Sequence, residues 1–281
     1  MHIVRYAPET TEELVHLLTE EAEHLRILAG GTELTPKLRA EKTRPRGLVW
    51  LGSLEEARGI RVIEEGVEIG AMVTMTELAA SDVIRGAFGA LAQAAGTVGS
   101  EQIRGMATLG GSIVSASSKT DMLPPLLLLD AELQVAGPEG IDWRPVTSVL
   151  PGGEKMFKRG EVLISVRVVR RTGEWRSVFC KLGSRQTMTF ARLSLALGFR
   201  FKGETIKESR AFLGALGSVP IEVPDVRKTL NGRSADEKAA QILAKALERF
   251  IRANVPEGDS RDYAAWAIRA VTADAMAKIE M

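Results

Sequence analysis

The chain has 281 residues, with 37 Lys+Arg against 36 Asp+Glu, 45% hydrophobic and 26% charged residues, the composition of an ordinary globular protein. A net charge of +1 leaves no basic excess to drive binding to a nucleic-acid backbone or an anionic membrane. One cysteine, Cys180, excludes an internal disulfide and an iron–sulfur cluster held by this chain alone; three histidines, His2, His16 and His24, crowd the N-terminal stretch and give no support for a His-rich metal centre or a Ser–His–Asp triad. Any redox chemistry therefore has to come from an organic cofactor.

Thr10 followed by Glu13 reads as a capping box, and Leu14, Leu17, Leu18, Ala22 and Leu25 fall on one helical face. A short apolar strand, 26–29, runs straight into Gly30-Gly31, and a second, 47–51, follows a basic stretch with a proline. Residues 1–55 thus read as a small α/β unit. Ile60 and Val62, then Val67, Ile69 and Ala71, alternate around Glu65-Gly66 as a β-hairpin. Residues 78–97 read as a single buried helix, rich in alanine.

The segment 99–118 is dominated by Gly, Ser and Thr, yet Ile103, Met106, Leu109, Ile113 and Val114 run through it. That is unusual for a linker. Asp121 ahead of Pro124 marks a helix start, while 131–136 and 162–169 read as strands. The longest apolar run, Leu126 to Leu129, is far short of the ~20 residues that span a bilayer. The N-terminus lacks a basic start followed by an apolar stretch, so a cytoplasmic protein without a membrane span is expected. After 170–173 come three antiparallel strands, 175–182, 193–201 and 206–216, and then helical periodicity over 222–280. The fold class is α+β, with a domain over 1–172 (subdomains about 1–55 and 56–172) and a second over 173–281.

Neither a GxGxxG fingerprint nor a GxxxxGK[ST] loop occurs. Two double-glycine turns do: Ala29-Gly30-Gly31-Thr32-Glu33-Leu34 and Thr108-Leu109-Gly110-Gly111-Ser112. Without a Cβ, such turns let backbone N–H groups converge on an anionic oxygen, with Thr or Ser hydroxyls as further donors. They serve equally as plain tight turns. Glycine spacing alone does not name a ligand.

The segments 27–34 and 102–113, in this order, resemble the two signatures of the FAD-binding medium subunit of molybdenum hydroxylases, the xanthine dehydrogenase and carbon monoxide dehydrogenase family. The similarity continues through 115–131, 157–163, 180–185 and 214–220, and so covers essentially the whole chain. It implies a flavin fold of the para-cresol methylhydroxylase type, followed by a C-terminal domain of a three-stranded antiparallel sheet with helices. It also implies that both glycine loops wrap the FAD diphosphate, that Asp121 binds a ribityl or ribose hydroxyl, and that Leu163 and Lys181 lie near the cofactor.

By their own chemistry Asp121 reads as a helix cap, Leu163 as core and Lys181 as an exposed strand-end residue. Glu33 stands where the family commonly has Asp, Ser112 where it has Asn, and Ser118-Lys119-Thr120-Asp121 where Pro-Ala-Gly-Asp is usual. The resemblance implies an electron-transfer role without catalytic residues or metal on this chain. A large molybdopterin subunit and a small subunit with [2Fe–2S] clusters are the implied partners, in a heterotrimer or its dimer, with NAD, oxygen or a quinone as acceptor. A stand-alone flavin reductase of the same fold and a cofactor-free scaffold are the alternatives.

Overall fold

The computed structural model describes residues 3–21, 23–40, 45–185 and 188–280. The chain forms two compact units, one gathering Met1–Glu77, Glu101–Ala116 and Asp130–Val169, the other Leu78–Ser100, Ser117–Leu129 and Arg170–Met281.

In the first unit, strand β1 (Val4–Tyr6), helix α1 (Thr11–Glu20), strand β2 (Leu25–Leu28), helix α2 (Leu34–Ala40) and strand β3 (Gly47–Trp50) follow in order. The strands pair in parallel in the order β1-β3-β2, which α1 and α2 permit as crossover connections. Helix α1 starts where the sequence indicates: Thr10 Oγ1 accepts the Glu13 N–H at 3.1 Å, and Glu13 reaches back to accept the Glu9 N–H at 3.0 Å. Leu14 and Leu18 from this helix are buried with Leu25 and Val49. Ala22, expected on the same face, lies outside the described residues.

Strands β4 (Ile60–Ile63) and β5 (Gly66–Gly70) form the expected hairpin. With β6 (Glu132–Gly137), β7 (Gly140–Pro145) and β8 (Val162–Val169) they make an antiparallel five-stranded sheet in the order β4-β5-β8-β6-β7. The edge strand β7 is missed by the sequence reading: its alternation, Ile141-Asp142-Trp143-Arg144, is only four residues long and bounded by Gly140 and Pro145, and none of its residues is buried.

The single helix read over 78–97 is instead three: α3 (Met75–Ala80), α4 (Asp82–Ala87) and α5 (Gly89–Gly96). Ser81 caps α4 by accepting the Ile84 N–H at 3.4 Å, and Phe88 ends it with its own N–H on Ile84 O at 2.8 Å. Two short helices, α6 (Glu101–Arg104) and α7 (Leu109–Ser115), then occupy the Gly/Ser/Thr segment, and α8 (Leu123–Leu128) follows.

The second unit contains β9 (Glu174–Gly183), β10 (Ala191–Lys202), β11 (Thr205–Gly214) and β12 (Ile221–Glu222). They form an antiparallel sheet in the order β12-β11-β10-β9. The C-terminal sheet therefore has four strands rather than the three expected. The extra one is two residues long, too short to leave a periodic signal. Helices α9 (Val226–Thr229), α10 (Glu237–Asn254) and α11 (Asp259–Glu280) complete the chain. Leu243, Leu247 and Ile268 from the two long helices are buried with Leu195, Leu197 and Phe199 of the sheet. Helices α5 and α8 also pack on this sheet, where the Gln93 Oε1 accepts the Phe179 N–H at 2.8 Å.

Candidate functional site

In the first unit the two glycine motifs, about 80 residues apart in sequence, come together. Strand β2 delivers the chain into Ala29–Gly30–Gly31, and a Cβ on Gly30 would sit 1.7 Å from the Met106 carbonyl oxygen. Only glycine allows that approach. Gly31 has φ +71, the left-handed region that glycine populates without strain. Across the same contact, a Cβ on Gly111 would lie 4.0 Å from the Ala29 Cβ and 3.0 Å from Thr108 Oγ1.

The two motifs differ in what their backbones offer. In the second, every N–H from Leu109 to Ser112 is used: Leu109 donates to Val73 O, Gly110 to Ala71 O, Gly111 to the capping Thr108 Oγ1 at 3.1 Å, and Ser112 to Thr108 O. In the first, no hydrogen bond within the described residues takes the N–H of Gly30, Gly31, Thr32 or Glu33. Glu33 points away into a half-exposed pair with Lys37 at 2.7 Å, and Leu34 opens α2, a helix with no buried residue. Met106, at 56% exposure, is an apolar side chain left on the surface beside this turn.

Leu163 lies in β8 opposite Val135 and is buried. It is absent from the cluster formed by its neighbours Val162 and Ile164 with α1, as strand alternation requires.

In the second unit, Asp121 and Lys181 meet. Lys181, on β9, donates to Asp121 Oδ2 at 2.5 Å and to Thr97 O at 3.1 Å. Their side chains are 6% and 7% exposed respectively, so Lys181 is not the exposed strand-end lysine its position suggests. The Thr97 hydroxyl, at the end of α5, donates to Ala94 O at 2.8 Å and lies 3.4 Å from Oδ2. Asp121 does not cap α8 either; the capping position is Met122, which makes no side-chain bond.

The second carboxylate oxygen, Oδ1, is buried without a hydrogen-bond partner among the described residues. A buried acceptor left open costs free energy, and such an atom in a native fold asks for a ligand or an ordered donor. Burial pushes the Asp121 carboxyl up to about 6, with Lys181 and Thr97 pulling the other way. Thr97 carries no sequence signal of its own; only the fold brings it to this pair. Phe190, 74% exposed with the Lys119 ammonium 5.9 Å from its ring centre, is a further surface aromatic that sequence periodicity does not single out.

These donor sets fit a flavin dinucleotide. A row of open main-chain N–H groups suits a diphosphate, and an open buried carboxylate oxygen suits a sugar or ribityl hydroxyl. Among the described residues no group of three or more His, Cys, Asp or Glu is placed to hold a metal ion, and no helix is long and apolar enough to cross a membrane.

The fold is that of a flavoprotein subunit. Residues 2–168 match the family model described as the FAD binding domain in molybdopterin dehydrogenase, and residues 179–278 match that of the CO dehydrogenase flavoprotein C-terminal domain. The chain belongs to this family of FAD-binding dehydrogenase subunits. It is an FAD-dependent oxidoreductase subunit, one component of a multi-subunit molybdenum hydroxylase.

The xanthine dehydrogenase FAD-binding subunit of Escherichia coli O157:H7 is 26% identical over 241 residues, 85% of this chain and 82% of the relative. The nicotinate dehydrogenase FAD-subunit of Eubacterium barkeri is 31% identical over 235 residues, 81% of this chain and 79% of the relative. Among solved structures, a carbon monoxide dehydrogenase from Hydrogenophaga pseudoflava superposes with a TM-score of 0.86 at 25% identity, covering 100% of this chain and 98% of the other.

Proposed function

We infer that the chain holds FAD between an electron source and an electron acceptor on other molecules. The observation that carries this is the row of unclaimed N–H groups from Gly30 to Glu33, set on glycines that admit no side chain. In this reading Ala29 to Leu34 receive the diphosphate. Thr108, Leu109, Gly110, Gly111 and Ser112 act mainly as the platform that fixes the first turn, since their own N–H groups are committed. Asp121 Oδ1 accepts a hydroxyl of the ribityl or ribose, Leu163 supplies apolar surface, and Phe190 offers an exposed ring to the isoalloxazine.

When bound, FAD accepts electrons singly and releases them in pairs, which is what joining one-electron clusters to a two-electron acceptor requires. The residues named here bind and orient; none has to move a proton. A cysteine-rich small subunit with [2Fe–2S] clusters is the proposed electron source, since one cysteine cannot hold such a cluster on this chain. A large molybdopterin subunit is the proposed site of substrate oxidation, and NAD the proposed acceptor, in a heterotrimer or its dimer.

The full chain, purified alone, is expected to be yellow and to release FAD on denaturation. A colourless chain that reconstitution with FAD does not turn yellow would refute the reading. Co-purification with the two partner subunits, and reduction of NAD by the assembly, test the finer parts.

A further inference from the structure

The cluster of Asp121, Lys181 and Thr97 has more geometry than simple cofactor contact requires. Asp121 could have presented both oxygens to a ligand. Instead Oδ2 is taken up by the Lys181 ammonium at 2.5 Å and approached by the Thr97 hydroxyl at 3.4 Å, while Oδ1 is buried and open. Lys181 is equally committed: its ammonium is turned inward onto Oδ2 and Thr97 O, and its side chain is 7% exposed.

We propose that Lys181 is a positioning residue, anchored by the Thr97 carbonyl, which holds the Asp121 carboxylate by Oδ2 so that Oδ1 is presented, ionised and correctly aimed, to a hydroxyl of the bound dinucleotide. The inference rests on the FAD reading above and assigns Lys181 to the carboxylate rather than to the flavin. The physical ground is the cost of a lone buried charge. A carboxylate taken out of water stays ionised only with a cation and hydrogen bonds to repay the lost hydration. The groups that set its ionisation are Lys181 from β9 and Thr97 from the end of α5, against burial that drives the carboxyl up to about 6. A hydroxyl donated to Oδ1 would favour the ionised form further, so FAD binding and deprotonation are coupled.

The test is the affinity of the full chain, stripped of flavin, for FAD between pH 5 and 9, followed by quenching of flavin fluorescence. The unaltered chain is expected to lose affinity tenfold or more on going from pH 7.5 to pH 5, as the carboxyl protonates. Lys181→Met is expected to weaken binding at least tenfold at pH 7.5 and to move the midpoint of this pH profile upward, because the carboxyl loses its cation. Lys181→Arg should restore most of the loss. In an Asp121→Asn background the profile should flatten, and adding Lys181→Met should change affinity less than threefold.

An unmoved midpoint in Lys181→Met, or the same tenfold loss in the Asp121→Asn background, would mean that Lys181 serves the cofactor directly and would overturn the inference while leaving the FAD reading intact. An unaltered chain that binds no FAD at any pH overturns both. Circular dichroism of the flavin-free variants checks folding. If Lys181→Met does not fold, the Lys181→Arg and Asp121→Asn profiles decide: a profile in Asp121→Asn as steep as the original refutes the coupling.

Discussion

Single glycines separate the needs of folding from those of binding. A methyl at position 30 would collide with the Met106 carbonyl, a backbone atom that cannot swing aside. Gly30→Ala is therefore expected to destabilise the flavin-free chain by about 2 kcal/mol or more and to abolish FAD retention as well. Position 111 differs, since it is exposed and its tightest neighbour is the side-chain oxygen of Thr108 at 3.0 Å. Gly111→Val should shift the melting temperature little, by the equivalent of about 1 kcal/mol, yet still cost FAD affinity by crowding the surface beside Ala29. Equal loss of stability in both variants would contradict this division.

Gly86 serves as the control. It sits within α4, without positive φ and with open space around it, so Gly86→Ala should stabilise by about 0.5–1 kcal/mol in thermal denaturation. At this scale the sequence told much: both glycine motifs, Asp121 and Lys181 are visible in it. It could not tell that Asp121 and Lys181 face each other, because a pairing across 60 residues leaves no periodic trace.

The elements show where local signals suffice and where they fail. Capping residues are legible, as Thr10 with Glu13 at α1 demonstrates. Alternation is legible too, and it recovers β5, β8 and the long strands of the C-terminal sheet. What misleads is continuity: the alanine-rich run from 78 onward has the composition of one helix, yet Ser81 and Phe88 offer local terminations that break it. Edge strand β7 escapes notice for the opposite reason, since its alternation of Ile141 and Trp143 with Asp142 and Arg144 is too short, between Gly140 and Pro145, to stand out.

That edge is held by charge. Arg144 from β7 grips Glu161 with two hydrogen bonds, at 2.8 and 3.0 Å, and Glu161 also accepts the Lys158 N–H at 2.8 Å. These bonds, Arg144 foremost, hold the Glu161 carboxyl below its ordinary value. A carboxyl depressed in the folded state contributes stability above its unfolded pKa and forfeits it as pH falls through the folded value. Glu161→Gln is thus expected to cost about 1–2 kcal/mol near pH 7. The gap between variant and unaltered chain should begin to narrow as pH falls below the ordinary glutamate value and close only below the depressed folded-state value, where Glu161 too is uncharged. A constant gap across pH would mean that shape rather than charge matters at this position.

At the scale of the whole molecule, composition constrains function more tightly than any one motif. A chain with 27 glycines, three histidines and a single buried cysteine has the means to cradle a flavin but not to ligate a cluster. Cys180 is moreover a poor thiolate, because burial pushes its thiol up. This chain carries the FAD-binding domain, and related complexes carry the molybdenum cofactor and the iron–sulfur clusters on other subunits. The consequence is measurable in the isolated chain. Elemental analysis should find less than about 0.1 iron and 0.1 molybdenum per flavin, because a [2Fe–2S] cluster calls for about four thiolates. The purified multi-subunit assembly should contain both metals. Dithionite should then bleach the isolated chain as a simple flavoprotein, with no cluster signal in its electron paramagnetic resonance spectrum. Iron near stoichiometric with flavin in the chain alone would show that the division of labour drawn from its cysteine count is wrong.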